Sequence, residues 1–218
     1  MEYTFRYDII NDVIKFNNFK NYLEIGVSDP SECFDKIVCQ NKLGVDPGLE
    51  FAENPVKYKM TSDHFFEHLD KGNLDLDPGF RWDVIFIDGL HISTQVLKDI
   101  ENSLFHLNPR GFIFLHDCNP ENYFMQREDY YINGERQPWN GTVWKVIYYL
   151  RSHRSDLQTF TINTDFGIGS IRRGTFKKIN FHNKFYEFNE MSLNRNHDLG
   201  LIEYSDFKKW YLNSNFQF

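Results

Sequence analysis

Two short stretches near the start of the chain decide the fold: YLEIGVSDPSE at residues 22–32 and KLGVDPG at residues 42–48. Each begins with apolar residues over the length of a strand and ends in a turn that contains glycine or proline. Between them, Asp29 and Pro30 have the pattern of a helix N-cap followed by a first-turn proline, which predicts a helix over residues 29–40. A strand, a helix and a strand in this order are typical of a parallel sheet.

The same alternation continues through the first three quarters of the chain. The sequence predicts strands at residues 22–26, 42–46, 56–60, 83–87 and 112–115, and helices at residues 62–70, 93–106 and 142–151. It also predicts an antiparallel pair at residues 157–162 and 167–172, and a last helix near residues 205–212. We therefore expect an α/β protein, a Rossmann-like three-layer sandwich whose mostly parallel seven-stranded sheet has an antiparallel last strand.

Length and composition favour a single domain with a tail. A chain of 218 residues with 41% hydrophobic content can bury a core on both faces of a sheet. We expect the core over residues 20–173, an insertion or lid over residues 118–140, and a tail over residues 174–218. The insertion is polar and aromatic without a period, and Tyr123, Tyr130, Tyr131 and Trp139 could stack on a ligand there. An ordinary surface loop is the alternative.

Charge and hydropathy exclude several classes of partner. The formal net charge is −7 and no Lys/Arg-rich run is present, which disfavours a nucleic-acid surface. No apolar run approaches the ~20 residues of a bilayer span, and the start of the chain lacks the pattern of a signal peptide. The three cysteines have neither disulfide nor zinc spacing. We expect a soluble cytoplasmic protein without a membrane partner. The sequence leaves open whether this protein forms a homo-oligomer.

The two opening stretches also predict a cofactor site. In an open α/β sheet, an acidic residue that ends the second strand, here Asp46, can accept the hydroxyls of a ribose. A dinucleotide is the competing ligand, but Ser28 and Ser31 stand where the G-x-G-x-x-G pattern needs glycine beside a pyrophosphate. A cofactor without phosphate needs only the turn glycine, Gly26. Taken alone, Gly26 and Asp46 also fit a plain turn and a helix cap.

The succession of motifs resembles that of class I S-adenosylmethionine-dependent methyltransferases. The motifs are LEIG at 23–26, GVDP at 44–47, TSDHFF at 61–66, FIDGLH at 86–91, LNPRG at 107–111 and HD at 116–117. Within that class, the chain is most similar to the family of macrocin-type sugar O-methyltransferases, over about residues 22–173. The resemblance implies that Glu24 and Gly26 flank the methionine part of the cofactor and that Asp46 holds its ribose. It also implies that Ser62 and Asp63 lie at the adenine edge.

A reaction site is predicted where two apolar strands end. Asp88 and Asp117 each follow such a strand directly, so both should project at the carboxyl edge of the sheet. With His116 they form a ligand set for Mg²⁺ or another divalent cation, which could lower the pKa of a hydroxyl to be methylated. Asp88 is also expected to contact the cofactor, and Asp88 and His91 are the candidate catalytic residues. The alternatives are a turn or cap for Asp88 and hydrogen-bonded core positions for the histidines.

The chain departs from the pattern of that family at two positions. Leu90 stands where the family has the second acidic residue of Asp-Gly-Asp, and His116 precedes Asp117 where the family pairs two aspartates. The loss of these carboxylates weakens the case for a metal and leaves the base unassigned. His91 is the chemically reasonable replacement, because an unperturbed imidazole has a pKa of about 6.5.

The expected function is transfer of a methyl group from S-adenosylmethionine to the hydroxyl of a small molecule. A sugar or a glycan precursor is the preferred acceptor, on the strength of the family resemblance. Two alternatives remain open. One is an NAD-dependent sugar oxidoreductase, which the missing glycines oppose, and the other is a catalytically silent nucleotide- or metal-binding module on the same fold.

Overall fold

A computed structural model describes residues 4–51, 53–129 and 131–212, except for the side chain at position 136. The strands are β1 (Asn21–Ile25), β2 (Asn41–Val45), β3 (Trp82–Ile87), β4 (Leu107–Leu115), β5 (Tyr131–Ile132), β6 (Glu135–Arg136), β7 (Leu157–Ile162), β8 (Ile168–Arg173) and β9 (Leu201–Ile202). The helices are α1 (Arg6–Asn17), α2 (Ser62–Asp70), α3 (Ser93–Phe105), α4 (Val143–His153), α5 (Phe188–Leu193), α6 (Arg195–Asp198) and α7 (Tyr204–Leu212). None of the described helices is long and apolar enough to cross a membrane.

Seven of these strands form one sheet in the order β2-β1-β3-β4-β8-β7-β9. Neighbouring strands run parallel except for β8, which is antiparallel to both β4 and β7. The predicted Rossmann-like fold, with a mostly parallel seven-stranded sheet and an antiparallel strand, is therefore confirmed. The antiparallel strand is β8 and not the last strand, because β9 follows it and runs parallel to β7. β5 and β6 form a separate hairpin inside the insertion.

Helices cover both faces of the sheet, which explains why its central strands are continuously apolar. On β3, Ile85 and Ile87 belong to the core on the side of α2, α3 and α4. The alternate residues, Val84 and Phe86, pack on the other side with apolar residues of α1 and α7. The tail thus contributes to the core, because Phe207 of α7 is fully buried there.

Two predicted elements are wrong in detail. The segment between β1 and β2 contains only a short 3-10 helix, Phe34–Lys36, instead of a helix over residues 29–40. The Asp29 carboxylate accepts the N–H of Ser31 in a local turn, a bond that competes with helix formation. The strand predicted at residues 56–60 is reduced to one bridge between Tyr58 and Val45, and the tail strand β9 supplies the seventh strand instead.

The sequence reading also missed α1, although its signal was present. Ile9, Ile10, Val13 and Ile14 recur at helical spacing, and all four are buried against the sheet. This helix matters for the site, because its first residue, Arg6, lies beside the carboxyl ends of the strands.

Candidate active site

The carboxyl ends of the first four strands meet at one edge of the sheet. Gly26, Asp46, Asp88 and His116 directly follow β1, β2, β3 and β4, with Asp117 next in the chain. Gly26 has a φ of +83°, and a Cβ there would lie 2.4 Å from the carbonyl oxygen of Asp88. Only glycine therefore lets the turns after β1 and β3 approach so closely.

A first cavity of about 340 Å³ opens along this edge, from Asp46 to Asp88. The buried Asp46 carboxylate accepts the N–H of Ser28 at 2.9 Å and of Gly48 at 2.6 Å. These bonds fix the carboxylate in the cavity wall, and each oxygen keeps a lone pair for a ligand hydroxyl. The structure thus places the Asp46 carboxylate in a fixed orientation in the wall of the first cavity.

At the far end of the first cavity, polar side chains of α2 and α3 form a hydrogen-bonded group. Ser62 and Asp63 open α2, and Gln95 of α3 donates to the Asp63 carboxylate at 3.0 Å. The same Gln95 amide donates to Asp99 at 3.0 Å. Sequence reasoning found Ser62 and Asp63 but missed Gln95 and Asp99. A signal existed, because Asp99 occupies the apolar stripe of α3 and is only 1% exposed.

The pKa values of the two carboxyl groups, Asp63 and Asp99, are shifted in opposite directions. Hydrogen bonding and the positive charge of Lys98, whose amine is 2.6 Å from Asp63, lower the pKa of that half-buried carboxyl. Burial raises the pKa of Asp99 to about 6, against the opposing effect of hydrogen bonds from Ser62 and Gln95. The charge on the more deeply buried Asp99 carboxylate is therefore unfavourable, and it lowers the free energy of unfolding when Asp99 is ionised.

At the other end, two carboxylates and two histidines converge. Oδ1 of Asp88 lies 3.2 Å from Nε2 of His91 and 3.2 Å from Nδ1 of His116. Oδ2 of Asp117 lies 3.0 Å from Nδ1 of His91 and 3.4 Å from Nδ1 of His116. The four residues that the sequence reading placed at the reaction site thus come together in the structure.

Electrostatics keeps this cluster ionised. Burial opposes charge on His91, but hydrogen bonds and charge attraction to Asp117 and Asp88 raise its pKa to about 9. The same carboxylates raise the pKa of His116 well above its usual value, and burial opposes them there too. The histidines in turn hold the pKa values of Asp88 and Asp117 below the usual range. In this arrangement His91 carries a proton at neutral pH and can act as a base only after losing it.

Arg6 and Asp165 also contact this cluster, and the sequence analysis predicted neither of them. Arg6 donates its backbone N–H to Asp165 at 2.9 Å and places Nη1 3.1 Å from the same carboxylate. Nη1 is also 3.2 Å from Nε2 of His116, and Nε is 3.9 Å from Asp88. Burial would raise the pKa of Asp165, but His116 and Arg6 lower it. These residues come from α1 and from the turn before β8, far from the cluster in sequence.

Residues at and just after the end of the insertion contact both the ring and the backbone of His91 and fix its position. Trp139 stacks on the His91 ring with 4.6 Å between centroids, and the buried Asn140 donates to Asp117 at 2.6 Å. A Cβ on Gly141 would lie 2.1 Å from the His91 carbonyl oxygen, and Thr142 donates its N–H to that oxygen at 2.8 Å. The insertion therefore starts and ends at the cluster. Tyr123 and Tyr131 are exposed, whereas Tyr130 lies outside the described residues.

Glu24 occupies a different place from the other predicted cofactor ligands. Its buried carboxyl accepts the hydroxyl of Tyr22, and burial raises its pKa to about 8. It lines a second cavity of about 450 Å³, together with Arg6, Cys33 and the Asp–His cluster, and is not in the lining of the first cavity. The two cavities share a wall whose members are Gly26, Ser28, Glu50, Asp88, Gly89 and Trp139.

The cluster also has the composition of a cation site. A ligand atom from each of Asp88, His116 and Asp117 lies within 4.8 Å of the other two, so one ion could contact all three. Two carboxylates with one imidazole suit a divalent cation that accepts oxygen and nitrogen ligands. The residues present therefore fit the metal that the family resemblance implies.

Comparisons with known proteins show what this chain is similar to. Residues 29–118 match the model of a family described as a methyltransferase domain. A Klebsiella pneumoniae protein assigned as an O-methyltransferase shares 12% identity, with a TM-score of 0.51 over 76% of this chain and 78% of that chain. The SAH-bound methyltransferase PaMTH1 of Podospora anserina shares 13% identity, with a TM-score of 0.50 over 78% of each chain. No curated protein sequence matches the chain.

The family match covers residues 29–118, and it agrees with the S-adenosylmethionine-dependent class that the motif order predicts; the order of strands agrees with the Rossmann-like fold of that class. The matched residues run from the turn after β1 to the end of the HD motif after β4, so they contain Asp46, Asp88 and Asp117. At such low identities, the two structures establish the fold alone.

Proposed function

We propose that the protein methylates a hydroxyl of a small molecule that binds in the second cavity, with S-adenosylmethionine in the first. The shared wall at Gly26, Asp88 and Gly89 is the observation that carries this proposal. A cofactor extended from Asp46 toward that wall would present its methyl group to a hydroxyl held at the Asp–His cluster. Holding the two reactants in line is the main contribution that such a transfer needs from a protein.

The residues of the first cavity support an adenosyl cofactor. Asp46 would accept the ribose hydroxyls, with Gly26 beside the methionine part. Ser62 and Asp63 would lie at the adenine edge, where Asp99 can accept a hydrogen bond from an amino group. Glu24 lines only the second cavity, so its proposed contact with the methionine part requires this part to extend past Gly26 into the second cavity.

The turn after β1 disfavours NAD as the ligand. A dinucleotide fold binds its pyrophosphate at the N-terminus of the helix that follows this strand. Residues 26–40 are all described and contain only turns and a three-residue 3-10 helix. The donors and the dipole that would stabilise a pyrophosphate are therefore not formed.

In the second cavity, beside the shared wall, Asp88, Asp117 and His116 would hold a divalent ion such as Mg²⁺, and the ion would lower the pKa of the acceptor hydroxyl. Asn140 orients Asp117, while Arg6 and Asp165 orient His116 from below.

His91 lies in the second cavity between Asp88 and Asp117, which supports its proposed role as the base in its neutral form. Asp88 touches both cavities, as expected of a residue that contacts cofactor and acceptor.

The acceptor is proposed to be a sugar or a glycan precursor. The second cavity combines charged groups with the aromatic residues Trp139 and Phe166, a lining that suits hydroxyl groups beside apolar ring faces. The resemblance to macrocin-type enzymes points the same way by analogy. The single-domain organisation, the cytoplasmic location and a homo-oligomeric state stay predictions.

Calorimetry tests the cofactor. S-adenosylhomocysteine should bind with a dissociation constant on the order of micromolar, and NAD should not bind. Asp46→Ala should weaken binding by about 1–3 kcal/mol, because buried ribose hydroxyls would lose their acceptor. Asp35→Ala is the matched control, since Asp35 is exposed and outside both cavities. Unchanged affinity in a folded Asp46→Ala protein, or tight binding of NAD, would contradict the assignment.

A second experiment tests the reaction site. Wild-type protein is screened against sugars and other hydroxyl compounds, and S-adenosylhomocysteine release is measured with and without chelator. Chelation, Asp88→Asn and Asp117→Asn should each abolish turnover, since each removes the ion or a charge that holds it, while Asp117→Asn should leave cofactor affinity nearly unchanged. Full turnover in chelator would remove the metal from the proposal. Cofactor binding without turnover on any acceptor would favour the silent module.

A further inference from the structure

A second group of possible metal ligands lies in the tail, away from the reaction site. His182 precedes α5, and His197 and Asp198 belong to α6. Oδ1 of Asp198 lies 2.9 Å from Nε2 of His182 and 3.0 Å from Nδ1 of His197. None of the three residues lines the first or the second cavity. The methyl-transfer proposal therefore gives this cluster no role.

The buried carboxylate of Asp198 is incompletely compensated. Asp198 is 0% exposed, and its Oδ2 has no hydrogen-bond partner among the described residues. The nearby guanidinium of Arg151 donates to the carbonyl oxygens of Thr159 and His197. Burying a charged oxygen without a direct partner is unfavourable, so such groups are normally paired or bind a metal.

We propose that His182, His197 and Asp198 bind a divalent transition-metal ion of the Zn²⁺ type. Two imidazoles and one carboxylate are a donor set that suits Zn²⁺ better than Mg²⁺. Ligand bonds of about 2.0–2.1 Å place the donors of a tetrahedral ion roughly 3.3 Å apart, close to the observed spacings. The two clusters differ in their donors. The cluster in the tail offers two imidazoles and one carboxylate, whereas the cluster of Asp88, His116 and Asp117 offers two carboxylates and one imidazole.

The site is accessible, and its ligands come from separate parts of the tail. The side chains of His182 and His197 are 30% and 58% exposed, which leaves a route for the ion and room for water as the fourth ligand. The ion would tie the segment before α5 to α6. That segment is already anchored to α4, because the buried Asn183 donates its N–H to the hydroxyl of Tyr148. Metal binding would therefore stabilise the docking of the tail on α4.

The test is a Zn²⁺ titration of metal-free, full-length protein against a chromophoric chelator, followed by NMR of the histidine rings. His182→Gln and His197→Gln keep a donor for Asp198 but remove a metal ligand. Each should weaken Zn²⁺ binding at this site by roughly a hundredfold or more, because the loss of an outer-shell partner alone costs about 10–100-fold. His64→Gln is the matched control, because His64 is exposed on α2 and belongs to neither cluster. Of the eight histidines, His182 and His197 should both shift at substoichiometric Zn²⁺.

Zn²⁺ should also raise the melting temperature of the Asp117→Asn protein, in which the reaction cluster is impaired, and both glutamine substitutions should remove that increase. Three results would overturn the proposal. The first is equal Zn²⁺ affinity and stoichiometry in wild-type and both variants, and the second is binding only at millimolar Zn²⁺. The third is NMR shifts confined to His91 and His116, which would assign all binding to the reaction site.

Discussion

Asp99→Asn should stabilise the protein, and more strongly as the pH rises. Asp99 is almost fully buried on the apolar stripe of α3, where burial raises its pKa to about 6 from 3.8. The folded protein binds the Asp99 proton more tightly than the unfolded chain does. The contribution of Asp99 to the free energy of unfolding is therefore greatest below pH 3.8, and it falls as the pH rises through 6. Asparagine keeps the shape and the oxygen that Gln95 contacts but carries no charge, so it avoids this loss.

The size of the effect follows from the shift in pKa. A rise from 3.8 to about 6 corresponds to about 3 kcal/mol of unfolding free energy once Asp99 is ionised. Linkage gives about 2 kcal/mol at pH 5 and about 3 kcal/mol at pH 7.5. The advantage of Asp99→Asn over wild type should therefore grow by about 1 kcal/mol between these two pH values.

Urea unfolding at pH 5, 6 and 7.5 measures this difference directly. Asp63→Asn is the matched control, because it removes the same charge from the same cavity at a residue whose pKa Lys98 lowers. The control should gain far less stability as the pH rises, because the Asp63 charge is only a minor cause of the rise in the Asp99 pKa. A constant difference between Asp99→Asn and wild type across this range, or a variant less stable at pH 7.5, would refute the reasoning. Binding of S-adenosylhomocysteine should weaken in Asp99→Asn, the usual trade-off at a strained ligand site.

Two further predictions concern the turn after β1 and the insertion. Gly26→Ala should destabilise the protein by about 2 kcal/mol or more beyond Gly48→Ala, since both have positive φ but a Cβ clashes with Asp88 only at Gly26. Equal losses of unfolding free energy in urea would show that the close approach is unimportant. Hydrogen exchange in residues 118–140 should slow when cofactor and acceptor are both bound, because the insertion would close over the acceptor. The tail segment 174–187 serves as the internal reference, and unchanged exchange in the insertion would make it an ordinary surface loop.

Residues that follow a strand were predictable from local pattern. A run such as Val-Ile-Phe-Ile at 84–87 must be buried on both faces, and the next residue must then emerge at the carboxyl edge. That rule alone brought Asp88 and Asp117 to the same place as Asp46. Local pattern failed where short-range bonds competed with it, as at Asp29, whose side chain forms a turn with Ser31 where a helix was predicted.

The sequence by itself determined the class of the fold, the edge of the sheet that carries the site, and the acidic residues along that edge. Only the tertiary structure decided their surroundings. Arg6 reaches His116 from a helix 110 positions away, and Asn140 reaches Asp117 across the whole insertion. These partners are set by how α1 and the insertion pack against the strand ends. Periodicity reports which face of an element is buried, but it carries no information about which distant side chain will meet a given carboxylate.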